Sequence, residues 1–183
     1  MLVLGLDPGT RHFGWGVVER RGTRLVHHAH GIVHTDEDQP IAVRLVTIER
    51  ELVEVVRLHA PAVASVEAIF FAKDAQAAAK LGHARGVALL VCARAGLEVF
   101  EYPPARVKRA VTGSGRAEKS QVAQMIRVVL GLAAAPPSDA ADALALAVTH
   151  LQHIPALLGK AAGAGAGAGA ARPGTGMKGV PRG

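Results

Sequence analysis

The hydrophobic period of this chain changes near Pro40, and few folds accommodate the change. Ahead of it the apolar residues come in short strand-like runs: LVLGLD (2–7), HFGWGVVE (12–19) after a Pro-Gly turn, and TRLVHHAHGIVHT (23–35), bounded by Gly22 and the acidic turn DEDQP. Beyond it Ile41, Leu45, Ile48, Leu52, Val55 and Val56 recur every three or four residues, the spacing of one helix face over about 41–59. Three successive strands predict an antiparallel meander, and the helix after them predicts a crossover into a parallel strand.

The elements further along read in the same way. Pro61 ends the first helix, AVASVE (62–67) is a short β-branched run that stops at Glu67, and an Ala-rich stretch favours a helix over about 73–95 with Gly96 as its C-cap. LEVFEY (97–102) reads as a fifth strand and PPARVKRAV (103–111) as a short helix opened by prolines. The flexible GSGR break leads into the helix EKSQVAQMIRVVLG (118–131). Pro136 and Pro137 precede a last helix, SDAADALALAVTHLQH (138–153), which Ser138 or Asp139 can cap, and Pro155 closes the ordered part. The plan is α/β: a mixed five-stranded sheet with an antiparallel meander and flanking helices, the order of a ribonuclease H-like fold. From about residue 160 the chain is Gly/Ala-rich and has no larger apolar side chain until Met177. Such a segment cannot offset its ordering entropy, so a disordered basic tail (157–183) is expected behind one domain (1–156).

Composition narrows the setting. The single cysteine, Cys92, allows neither a disulfide framework nor a Cys-based zinc site and points to a reducing, cytoplasmic environment. No basic n-region precedes Asp7, so no signal peptide is expected, and no apolar run approaches the roughly 20 residues of a membrane span. The formal charge is +6, but Lys160, Arg172, Lys178 and Arg182 all follow the last acid, Asp142; without these four, 17 basic residues face 15 acids. Local clustering is more telling. Arg106, Lys108, Arg109, Arg116 and Lys119 are separated by a single acid, Glu118, and form either a solvated face or an anion-binding surface.

Four of the acids stand apart from helix surfaces and turns. Asp7 ends one apolar strand and Glu67 another, while Asp139 and Asp142 are three apart on an otherwise Ala/Leu-rich helix and so share a face. Neighbouring first and fourth strands would set Asp7 beside Glu67, and packing the last helix there would gather all four. Alone, Asp7 is equally a turn residue and Asp139 an N-cap. Together, four carboxylates repel one another by several kcal/mol unless cations neutralise them. Oxygen donors without clustered cysteine suit Mg²⁺, with Mn²⁺ as a substitute, rather than zinc. Two such ions about 4 Å apart activate water and stabilise a leaving 3′ oxygen in phosphodiester hydrolysis.

The blocks LGLDPGTRHFGWGVV, VEAIFFAKDAQAAAKLGHARGVA, VFEYPPARVKRAVTGSGRAEKSQV and SDAADALALAVTHLQH, in this order and spacing over about residues 2–153, closely resemble the RuvC Holliday junction endonucleases. The resemblance implies a Mg²⁺-dependent nuclease acting as a homodimer on four-way DNA junctions. Paired nicks would leave 5′-phosphate and 3′-hydroxyl ends, with RuvA and RuvB as partners in branch migration. It assigns metal binding and catalysis to Asp7, Glu67, Asp139 and Asp142, and DNA contact near the scissile phosphate to Lys108 and Lys119. Arg106, Arg109 and Arg116 join those lysines as DNA-binding candidates, and Phe70, with Phe71 beside it, matches a wedge at the junction crossover. Plain burial is the other reading of Phe70.

The stripe Ala75, Ala78, Ala79, Gly82 and Gly86 suits close approach, either to the sheet or to a second copy of the chain. His83, His150 and His153 are assigned no catalytic part; the last two read as surface or helix-capping residues, and the histidines of HHAHGIVH as partly exposed. Three other functions compete. A ribonuclease H-like nuclease of ribosomal RNA precursors would lack the AEKSQV block. An actin-like or sugar-kinase ATP-handling protein would need a second phosphate loop. A non-catalytic junction-binding module sits poorly with four intact acids.

Overall fold

The computed structural model describes residues 1–68 and 75–164, with 75–78, 80 and 154–164 described as backbone alone. Met1–His153 form one unit, and Ile154–Gly183 form a second, whose described part is helical. The strands are β1 (Leu2–Asp7), β2 (His12–Arg21), β3 (Arg24–His34), β4 (Val63–Glu67) and β5 (Glu98–Tyr102). The helices are α1 (Ile41–His59), α2 (Ala75–Arg94), α3 (Pro104–Thr112), α4 (Lys119–Leu130) and α5 (Ser138–Ala164). The sheet order is β3-β2-β1-β4-β5, with β1, β4 and β5 parallel and the β1–β2–β3 meander antiparallel. This is the predicted mixed sheet.

Strand periodicity decides what each face holds. Leu4, Leu6, Phe13, Val17, Ala64 and Val66 belong to the core shared with Ile48 and Leu52 of α1 and Ala84, Ala88 and Val91 of α2. The alternate positions carry Gly5, Gly14 and Gly16, and α5 lies directly on them. Cys92 is buried in the α1/α2 layer, and burial pushes its thiol up to about 11, which makes it a packing residue. Among the described residues no helix is long and apolar enough to cross a membrane.

Two details of α5, at His150 and beyond, depart from the sequence expectations. Pro155 does not close the last helix, which continues to Ala164. A proline at this position has no N–H for the carbonyl four residues back; that carbonyl, Leu151 O, accepts from Arg20 Nη1 at 2.7 Å instead. His150 is not a surface or capping residue. It is 1% exposed, with Nδ1 2.8 Å from the Tyr102 hydroxyl and its ring against Phe100. Burial lowers its pKa, and the nearby His153 adds to the fall.

Candidate active site

Asp7 and Glu67 are the last residues of adjacent parallel strands. The register pairs Leu6 with Val66, so the two acids leave the sheet one rung further on, side by side. On the other side of β1, the antiparallel register sets Asp7 opposite Gly14. A Cβ at Gly14 would stand 2.1 Å from the Asp139 carbonyl oxygen. Only glycine lets the first turn of α5 rest there, and this contact seats Asp139 next to Asp7. At Gly5 a Cβ would lie 1.9 Å from the Ala143 carbonyl oxygen, so the helix is fixed at a second point one turn along.

Asp139 does not cap α5. The helix opens at Ser138, and the Ala141 N–H donates to the Pro137 carbonyl at 2.8 Å. The Asp139 carboxylate therefore sits inside the first turn, where the partial positive charge of the helix end favours it. Asp142, one turn on, shares that face.

Electrostatics tie the four acids together. Burial pushes the Asp7 carboxyl up to about 7, with the charges of Asp142, Glu67 and Asp139 adding to the rise and Lys119 opposing it. Glu67 is more open to solvent, yet it too is raised, first by the protein around its carboxyl and then by Asp142, while Lys119, Lys108 and Arg85 pull it back. Lys119 Nζ holds Asp142 Oδ2 at 2.9 Å, and this bond raises the lysine pKa. Lys119 opens α4 through a reciprocal cap: Glu118 N donates to Gln121 Oε1 at 2.8 Å, and the Glu118 carboxylate accepts from the Gln121 N–H. In the AEKSQV block the acid and the amide thus fix the helix start, which points the lysine between them at the acids.

Asp7, Glu67, Asp142, Lys108 and Lys119 line one cleft of about 130 Å³, together with the apolar side chains of Val107, Val122 and Leu146. Residues 3–150 match the family model described as crossover junction endodeoxyribonuclease RuvC. The chain belongs to the RuvC family.

A RuvC from Sorangium cellulosum (strain So ce56), named crossover junction endodeoxyribonuclease, is 61% identical over 151 residues, covering 82% of this chain and 84% of the relative. Thermus thermophilus RuvC, solved in complex with a Holliday junction substrate, has a TM-score of 0.79 at 39% identity, covering 87% of this chain and 96% of that one. The yeast mitochondrial Holliday junction resolvase Ydc2, at 13% identity and a TM-score of 0.57 over 86% and 85% of the two chains, shares the fold. The fold is that of the ribonuclease H-like resolvases. RuvC-family nucleases depend in general on a divalent metal.

The donor set in this RuvC-family cleft fits such an ion. The acids offer oxygen alone, they come from three separate elements, and an Asp7 pushed up to about 7 needs a nearby cation to be fully ionised at neutral pH. Among the described residues no three acids, histidines or cysteines are preformed as a cage; Lys119 holds one Asp142 oxygen instead.

The other expected site residues divide. Lys108 lies in the acidic cleft with Lys119. Arg106 and Arg109 line a separate groove with Gln152 and His153, where Arg106 Nε is 2.9 Å from His153 Nε2 and its guanidinium covers the Tyr102 ring. Arg116 is exposed in the α3–α4 connection and lines neither. Phe70 and Phe71 lie outside the described residues, as do the side chains of Ala75 and Ala78; Ala79, Gly82 and Gly86 are exposed. His83 is exposed beside Arg11 and Arg44, away from the acids.

Two contributors were not singled out from the sequence: Arg85 behind Glu67 and the glycine seat of α5. Only the glycines leave a readable trace there, as Gly5 and the alternate pair Gly14 and Gly16.

Proposed function

We infer that this chain is a crossover junction endodeoxyribonuclease, which resolves four-way DNA junctions in recombination and repair by metal-dependent nicking. The main support is the closeness of Asp7, Glu67, Asp139 and Asp142 at the carboxyl ends of β1 and β4, with Lys108 and Lys119 in the cleft that Asp7, Glu67 and Asp142 line. The ribosomal RNA precursor alternative finds no support among the relatives. Asp7, Glu67, Asp139 and Asp142 would hold Mg²⁺, or Mn²⁺ in its place, as a pair of ions. Such ions would activate a water and stabilise charge at the leaving oxygen, and the hydrolysis would leave 5′-phosphate and 3′-hydroxyl ends.

The protein's own part is placement. Lys119, held by Asp142, and Lys108, from the neighbouring helix, present ammonium groups at the cleft mouth, where they fix a phosphate against the acids and neutralise charge. Arg106, Arg109 and Arg116 extend the basic surface for the DNA backbone, and Phe70, three residues past Glu67, supplies a stacking wedge at the crossover. The exposed small stretch of α2, where a Cβ at Gly82 or Gly86 would meet nothing within 4 Å, suits the close approach of a second copy. A two-fold homodimer would match the two-fold symmetry of a junction. The proposal extends to RuvA and RuvB as partners and to a cytoplasmic setting, for which the family resemblance is the support.

The test is cleavage of a synthetic four-way junction against duplex DNA and structured RNA, with and without Mg²⁺. Junction-selective cleavage that needs Mg²⁺ is expected, and Asp7→Asn should abolish it while leaving junction binding in place. Parental cleavage by Asp7→Asn would refute the acid site; equal cleavage of duplex would refute the substrate.

A further inference from the structure

Among the described residues, Arg85 is the one lysine or arginine that is buried, at 6% exposure. A guanidinium is not taken out of water without partners, and those of Arg85 are specific. Nη1 donates to the backbone carbonyl of Glu67 at 2.5 Å, and Nη2 donates to Glu101 Oε1 at 2.6 Å. The carbonyl of Glu67 and the N–H of Ala68 belong to one peptide unit, and that N–H donates to the Tyr102 carbonyl at 2.9 Å. Both polar groups of the Glu67–Ala68 peptide are therefore held, one by the neighbouring strand and one by Arg85, at the point where the chain leaves the sheet. A peptide plane fixed on both sides fixes the direction in which the Glu67 Cα projects its carboxylate.

We propose that Arg85 is a positioning residue for the metal-binding carboxylate of Glu67, acting through the Glu67–Ala68 peptide, with Glu101 as the strut that aims the guanidinium. The proposal rests on the reading of Glu67 as a metal ligand. Arginine is required because its planar fork reaches a carbonyl and a carboxylate in two directions at once, which an ammonium does not. Arg85 also lines the back of the site, in a second cleft with Asp7, Pro8 and Glu67.

The experiment compares the full-length parent with Arg85→Lys, Arg85→Gln, Glu101→Gln and Glu67→Gln. Three quantities are measured: the Mg²⁺ concentration that half-saturates junction cleavage, the Mg²⁺ concentration that half-saturates the rise in Tm without DNA, and the junction Kd in chelator. Loss of an outer partner that orients a metal ligand typically weakens metal affinity or activity by about 10- to 100-fold. Arg85→Lys should therefore raise both Mg²⁺ midpoints by about tenfold and change the junction Kd by less than about twofold, with Arg85→Gln further in the same direction. Glu101→Gln keeps the bond to the Glu67 carbonyl and should raise the midpoints by only about threefold, and it decides the matter if Arg85→Gln does not fold. A lower Tm for Arg85→Lys with parental Mg²⁺ midpoints would overturn the positioning role and leave Arg85 a packing residue. Glu67→Gln separates the two levels. Parental midpoints in that variant would refute Glu67 as a ligand, whereas their loss there but not in Arg85→Lys would refute the Arg85 inference alone.

Discussion

Asp7→Asn should inactivate the enzyme and, in chelator, make it more stable. The carboxyl of Asp7 is pushed from its ordinary value of 3.8 to about 7, first by burial and then by Asp142, Glu67 and Asp139. At 1.36 kcal/mol per unit, a rise of about three units places a ceiling of about 4 kcal/mol on the destabilisation caused by an ionised Asp7 in the metal-free fold. The folded state holds a proton here that the unfolded chain has released, so the sign is definite. Stability from this group is fully present below about pH 4 and is lost as pH rises to about 7. Asparagine is isosteric and never ionises, so the variant lacks this loss.

If half the ceiling survives relaxation of the neighbouring acids, the variant gains about 2 kcal/mol at about pH 8, or about 4–8 °C in Tm for a chain of this size. At about pH 4 the two proteins should melt together. The assay is thermal or urea unfolding in EDTA at both pH values, repeated with saturating Mg²⁺. Metal should stabilise the parent and not the variant, and so reverse their order. An Asn variant no more stable than the parent at the higher pH, or one that Mg²⁺ stabilises as much as the parent, would refute the crowded-acid account.

The same proton competes with metal, so parental cleavage at limiting Mg²⁺ should fall with decreasing pH below about 7, as a pH series would show. Lys119→Ala removes an ion pair whose lysine side chain is 71% exposed; such a pair contributes about 0–1 kcal/mol, so Tm should barely move while junction cleavage drops. Arg20→Met leaves the Leu151 carbonyl, already without a proline N–H, short of its donor and should destabilise by about 1–3 kcal/mol in urea unfolding, with cleavage at low temperature retained. Gly14→Ala puts a methyl 2.1 Å from the Asp139 carbonyl oxygen. It should cost about 1–3 kcal/mol of stability and, by displacing Asp139, more activity than a matching loss elsewhere, read as residual cleavage at a temperature where the variant is folded.

What was readable beforehand and what was not divides by range. Asp7 and Glu67 stood out because an acid that ends an apolar run is visible within a few residues. Asp139 and Asp142 stood out because helical spacing is local too. Arg85 looked like one more basic residue of an Ala-rich helix, since its partners, Glu67 and Glu101, lie on two strands distant in sequence. Pro155 looked like a stop because local propensity takes no account of Arg20, more than a hundred residues away, at the Leu151 carbonyl. The burial of His150 escapes local patterning for a related reason. Amphipathic logic assigns a polar residue near a helix end to the surface, but from Ala140 to Leu151 every residue of α5 except Asp142 is buried. The lone partly exposed residue in that run is the metal candidate, and the helix rests on Gly5 and Gly14 through backbone contacts rather than long side chains. Backbone has no rotamers, so a carboxylate carried on such a seat is held more narrowly than one on a helix cushioned by leucines. The glycines of the strands and the alanines of α5 therefore set the distance between the acids of the strands and the acids of the helix.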